Sequence, residues 1–161
     1  MDLPIRKPLR LKEFDYSSPG AYFITICTRE RRCVLSDIAV GEGLAPPAVQ
    51  LTAIGKIVEQ QVLLLPARFS MLMVDRYVIM PNHIHLLLTL SEPNSGGASP
   101  SPTITDMVGA LKSQTSRMSG AAPLWQRSFF DHIVRNESDH RQITEYIAAN
   151  PARWAEDRFH P

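Results

Sequence analysis

The stretch Val78-Ile79-Met80-Pro81-Asn82-His83-Ile84-His85-Leu86-Leu87-Leu88-Thr89-Leu90 decides how this chain must fold. A strand is expected from Met71 to Met80, Pro81-Asn82 has turn chemistry, and His83 to Leu90 reads as the returning strand of a hairpin. Successive side chains alternate across a strand. Ile84, Leu86, Leu88 and Leu90 therefore fall on one apolar face, which predicts the core side. His83 and His85 fall together on the other face, with Leu87 and Thr89. Their Cα atoms are expected roughly 6.5–7 Å apart, two strand rises. Two imidazoles at that spacing can lean onto one metal ion, or can be hydrogen-bonded histidines beside a turn. Spacing alone leaves both readings open.

Upstream, Tyr22-Phe23-Ile24-Thr25-Ile26-Cys27-Thr28 is rich in β-branched and aromatic residues and predicts another strand. Residues 1–20 before it read as a basic, turn-rich arm, and 21–161 as a single domain. Residues 39–50, with Gly41, Gly43, Pro46 and Pro47, are expected to form a loop. Ile54, Ile57, Val58 and Leu65 recur at helical spacing, so a helix is expected over 51–65 with Pro66 closing it. Downstream, the Ser/Pro/Gly-rich stretch 91–102 reads as a linker. Thr103 caps a helix expected to run to about Met118 and end near Gly120, with Asp106 in a weaker version of the capping box. Trp125 to Arg135 predicts a strand, and Asn136 caps a last helix over about 137–149, limited by Pro151. The order β, α, β-hairpin, α, β, α predicts an α+β fold: a ferredoxin-like sandwich with a largely antiparallel sheet flanked by helices.

Composition sets the outer limits. The 161 residues carry 17 Lys+Arg against 16 Asp+Glu, a formal charge of +1, with 44% hydrophobic and 20% charged residues. That is ordinary globular composition and argues against disorder or a fibre. A nucleic-acid role cannot rest on global charge. No apolar run reaches the ~18 residues of a membrane span, and the N-terminus lacks the apolar core and cleavage site of a signal peptide. Cys27 and Cys33 form no CxxC pattern, which fits a reducing compartment. A cytoplasmic, nucleoid-associated protein without membrane partners is expected.

The last helix carries a second candidate. Gln142, Tyr146 and Asn150 fall one turn apart and share a face, beside an apolar stripe of Ile143 and Ile147. One edge of this helix is therefore expected to pack while the other faces a cleft. On periodicity alone the ordinary reading of Tyr146 is a half-buried aromatic and that of Asn150 a helix cap before proline.

Three blocks together point further. Val78 to Leu88 resembles the Met-Pro-Asn-His-hydrophobic-His motif of single-tyrosine HUH transposases. Leu124 to Arg135 resembles the strand that precedes the nucleophile helix in that family, and Tyr146-Ile147-Ala148-Ala149-Asn150-Pro151 is similar to its Tyr-Ile-x-x-Asn-Pro signature. The nearest branch is that of the REP-associated tyrosine transposases, and the resemblance spans about 22–154. It implies that His83 and His85 hold a divalent cation, Mg²⁺ or Mn²⁺, with Asn150 as third ligand. It also implies that Tyr146 is the nucleophile, that the substrate is single-stranded or hairpin-forming DNA, and that the protein acts as a monomer or homodimer.

The residue types suit such chemistry. A free phenol is mostly protonated at neutral pH and needs help as a nucleophile. A cation on the non-bridging phosphate oxygens supplies that help. A tyrosyl phosphodiester also conserves the bond, so a strand can be rejoined without ATP. Imidazoles suit Mn²⁺ or Zn²⁺ better than the oxygen-preferring Mg²⁺, a tension within the resemblance. For the nucleic acid, Lys112, Arg117 and Arg127 form an acid-free positive stretch over 107–130. Glu145 and Asp131 are alternative ligands or orienting groups. Two other readings compete: a module that binds a DNA hairpin without cutting it, and a hydrolase whose His-bound metal activates water with no role for Tyr146.

Overall fold

The computed structural model describes residues 10–39, 47–92 and 100–161. At its centre lie β1 (Gly20–Cys27) and β5 (His83–Leu90), paired antiparallel from Gly20↔Leu90 to Cys27↔His83. β4 (Leu72–Ile79) pairs with β5 as its hairpin partner, with a bulge between Val74 and Arg76, and β6 (Phe130–Ile133) pairs with the other edge of β1. The sheet order is β4-β5-β1-β6, and every neighbouring pair is antiparallel. With α1 (Ala53–Arg68) before β4 and α2 (Ile104–Ser119) before β6, this is the ferredoxin-like arrangement expected from the sequence.

The sheet has two differently built faces. On one, Ile24 and Ile26 of β1 and Ile84, Leu86, Leu88 and Leu90 of β5 pack against Val58, Val62 and Leu65 of α1 and Ile104, Met107, Val108 and Leu111 of α2. The apolar side of β5 is therefore the core side, as its alternation predicts. On the other face α3 (Glu137–Ala149) sets Ile143 and Ile147 against Val78, Met80 and Leu87. Its flanks hold Phe23, Val134 and Trp154. Both faces of β5 are thus covered, and all but one of its residues are buried. A strand covered on both sides holds its side chains in fixed rotamers, which suits a site that must be rigid.

Helix ends follow local chemistry. The Thr103 side chain accepts from the Asp106 N–H while the Asp106 carboxylate accepts from the Thr103 N–H, a full reciprocal capping box. Gly120 ends α2 in the left-handed region at φ 67°. Asn136 caps α3 by accepting from Asp139 N–H at 2.9 Å. At the start of α1, Thr52 accepts from Gly55 N–H, and the helix backbone there lies hard against Leu35: a Cβ on Gly55 would sit 1.9 Å from the Leu35 carbonyl oxygen. No other residue fits that approach.

The structure corrects three expectations. The loop expected over 39–50 contains β3 (Ala48–Leu51), which pairs with β2 (Ser36–Ala39) in a small separate sheet, while 40–46 lie outside the described residues. Pro66 does not close α1: the helix runs on to Arg68, because the proline disturbs the turn before it while the N–H groups after it still pair, Phe69 N–H reaching Leu65 O at 2.9 Å. The strand expected over 125–135 is regular only at 130–133, preceded by an isolated Thr28↔Trp125 bridge. Of the arm read at 1–20, residues 1–9 lie outside the described residues, as do 93–99 of the linker. From Arg10 on the chain packs down: the guanidinium pairs with Asp131 at 2.7 Å, and Tyr16 joins the core.

Candidate active site

The histidines stand on β5 facing α3, on the side of the sheet away from α1 and α2. His83 is fully buried and His85 nearly so, with ring centroids 4.7 Å apart. Each has one ring nitrogen committed. His85 Nδ1 lies 2.8 Å from Thr25 Oγ1, and register explains the partner, since Thr25 is directly opposite His85 on β1. His83 Nδ1 lies 2.9 Å from Asn82 Oδ1.

The Asn82 bond fixes the tautomer of His83. The Asn82 amide nitrogen donates to Phe159 O at 2.7 Å and Arg31 O at 3.3 Å, so its oxygen is the atom that faces the ring. An amide oxygen can only accept, so Nδ1 of His83 carries the proton and Nε2 presents a lone pair. Neither Nε2 has a partner: His83 Nε2, His85 Nε2 and Asn150 Oδ1 are the buried side-chain polar atoms without a hydrogen bond among the described residues. Orphaned buried polar atoms are costly and call for an explanation.

Electrostatics keep the imidazoles neutral. Burial pushes His83 down to about 4, opposed by the Asp157 carboxylate and the Asn150 amide. Burial and the His83 charge push His85 well below the ordinary histidine value. Neutral imidazole is the form that binds metal. Asp157 Oδ2 stands 3.8 Å from His83 Nε2, too far for a hydrogen bond. Among the described residues no three His, Cys, Asp or Glu side chains gather closely enough to hold an ion, and the third orphan is the amide oxygen of Asn150. Two neutral Nε2 atoms and an amide oxygen are nonetheless a donor set that a divalent cation fits.

Tyr146 lies next to this trio. Its ring centroid is 5.4 Å from that of His85 and 6.1 Å from that of Phe23, and the side chain is 41% exposed. The helical stripe faces a cleft, as expected: Gln142, Tyr146 and Asn150 line a hollow of about 720 Å³ with Arg153 and Arg158. A second hollow of about 220 Å³ places Tyr146 with His85, Phe130, Phe159 and Arg158. The structure therefore brings together His83, His85, Asn150 and Tyr146 from two elements far apart in the chain.

The basic residues do not join them. Lys112 and Arg117 sit on α2, the layer on the opposite face of the sheet. The Lys112 ammonium donates to Gln126 O at 2.5 Å and Ser128 O at 3.4 Å, and burial lowers its pKa. Arg117 hydrogen-bonds Gln114. Arg127 is exposed between Gln126 and Ser128. Asp131 is held by Arg10, and Glu145 lines the larger hollow. Sequence reasoning missed Asn82, Thr25 and the segment Asp157 to Phe159, whose Phe159 ring packs 4.6 Å from His83. Asn82 was inside the decisive motif, and the signal for its role was its place next to His83.

A pair of imidazoles on a central strand of a ferredoxin-like sheet, with a tyrosine presented by the flanking helix, is the arrangement that the resemblance to single-tyrosine HUH transposases leads one to expect. No family model matches the chain. An uncharacterised protein of Haemophilus influenzae is 32% identical over 96% of this chain and 93% of its own length. The REP-associated tyrosine transposase of Escherichia coli is 29% identical over 80 residues, half of this chain and 44% of that protein. In fold, the chain is similar to a REP-associated tyrosine transposase solved bound to a REP hairpin, with TM-score 0.66 and 22% identity over 89% of this chain and 73% of that one. The chain is thus similar to REP-associated tyrosine transposases, in sequence over half its length and in fold over 89% of it.

Proposed function

We propose that the protein is a DNA strand-transferase in which Tyr146 attacks a phosphodiester of a single-stranded segment beside a hairpin. The observation that supports this most directly is the exposed phenol of Tyr146 beside three buried, unpartnered polar atoms. A hydrolase needs no such phenol, and a pure binding module needs no orphaned imidazoles.

In the reaction, Tyr146 Oη forms a bond to phosphorus and the bond from phosphorus to the 3′ oxygen breaks. The phenolic proton is released, and the leaving oxygen gains a proton to become a 3′-hydroxyl. The product is a 5′-phosphotyrosine link. A 3′-hydroxyl can attack it in turn and restore a phosphodiester of similar energy. His83, His85 and Asn150 would hold Mg²⁺ or Mn²⁺, which when bound polarises the non-bridging oxygens. Thr25 and Asn82 hold the imidazoles in place, and Ile143 and Ile147 seat the tyrosine helix. DNA is the partner this reading requires, and a related transposase has been solved with a REP hairpin.

The test is a denaturing gel of protein incubated with labelled hairpin DNA carrying a single-stranded flank, with Mn²⁺ or Mg²⁺. A covalent protein–DNA adduct that Tyr146→Phe abolishes is expected. A native shift without adduct would favour the binding module, and cleavage surviving Tyr146→Phe would favour the hydrolase.

A further inference from the structure

We infer that Arg158 grips the phosphodiester under attack, a role that rests on the strand-transfer reading above. Arg158 lines both hollows that Tyr146 lines, and in the smaller one it shares the walls with His85. It is thus a fixed positive charge beside the phenol and the His85 imidazole. A dianion-like transition state forming between the phenol and the imidazole pair would form within this field.

Three observations make Arg158 more than a surface cation. Among the described residues no carboxylate lies within ion-pair distance of it. Its guanidinium instead sits over aromatic rings, 4.6 Å from the Phe159 centroid and 5.7 Å from that of Phe130. A guanidinium over a ring face keeps its N–H edge for a planar, bidentate partner such as a phosphate. The backbone on both sides is also pinned. Phe159 N–H donates to Asp157 Oδ1 at 2.8 Å, His160 N–H donates to Asp157 O at 2.9 Å, and the Asn82 amide donates to Phe159 O at 2.7 Å. Phe159 itself is buried against His83. A charge held this way loses little further freedom on binding.

Asn82 thus ties two parts of one device. Its oxygen sets the ring of His83, and its nitrogen holds the turn that carries Arg158. Arg153 lines only the larger hollow, and no aromatic ring clamps it among the described residues.

The experiment measures single-turnover adduct formation at saturating labelled hairpin with Mn²⁺, for wild type, Arg158→Ala and Arg158→Lys, with Tyr146→Phe as blank. Hairpin affinity is measured in parallel by fluorescence anisotropy. For Arg158→Ala the saturated rate is expected to fall about 10²-fold, the usual effect of removing one transition-state donor. Affinity should change by less than about fivefold, and Arg158→Lys should recover part of the rate through charge without the bidentate fork. A wild-type saturated rate in Arg158→Ala, or a loss confined to affinity, overturns the assignment while leaving strand transfer intact. Absence of any Tyr146-dependent adduct in wild type overturns the strand-transfer reading, and the Arg158 role with it.

Discussion

The side-chain oxygen of Asn82 lies 2.9 Å from Nδ1 of its own neighbour, His83, and the rest of the Asn82 amide is anchored to Phe159 and Arg31. An asparagine before a histidine thus works as the buried partner that aims the ring. Truncation of such a partner commonly costs 10–100-fold in metal affinity or activity. Asn82→Ala should therefore slow adduct formation by about 10–100-fold. It also strips partners from two carbonyls and should lower stability by about 1–3 kcal/mol, read by urea unfolding.

Tyr146→Phe removes one oxygen from a side chain that is 41% exposed. Stability should stay within about 0.5 kcal/mol of wild type. Hairpin affinity should be nearly unchanged, while adduct formation disappears from the gel. A variant that also lost hairpin binding would show that Tyr146 acts as a contact residue instead of a nucleophile.

The acid limb of stability should report the buried imidazoles. His83 falls from 6.5 to about 4 and His85 lies well below 6.5, so both are neutral in the fold where the unfolded chain would take up protons. Their contribution is complete above pH ~6.5 and is lost as pH falls toward 4. With chelator present, urea unfolding at pH 7 and pH 5 should differ by on the order of a few kcal/mol, with the lower value at pH 5. A flat profile over that range would contradict the burial of the pair.

Gly55→Ala should be among the more damaging methyl additions. The new Cβ would meet the Leu35 carbonyl oxygen at 1.9 Å, and that atom is backbone and cannot rotate away. A loss of about 2–3 kcal/mol is expected from the forced shift of α1 against the Leu35 backbone, measured by thermal unfolding. The same change at Gly109, with nothing within 4 Å, should be neutral or slightly stabilising.

Periodicity made most of the frame legible. The alternation in 83–90 placed both histidines on the face away from the main core, and the Gln142-Tyr146-Asn150 stripe correctly implied a cleft. β2 and β3 escaped because each has only four residues and neither strand of that small sheet presents a continuous apolar face, so the glycines and prolines beside them dominated the reading. Pro66 misled because a proline near a helix end removes one bond without forcing the next two residues out of the helix. Asp157, Arg158 and Phe159 left no periodic trace. Their place in the site depends on a tertiary contact between the chain's last turn and Asn82, separated by 77 positions.

The sealed polar atoms at His83, His85 and Asn150 cost the fold thermal robustness. Buried polar atoms without partners cost stability, and leucines of similar volume would knit the tyrosine helix to the sheet more firmly. A triple replacement with such residues should give a sturdier protein that forms no adduct.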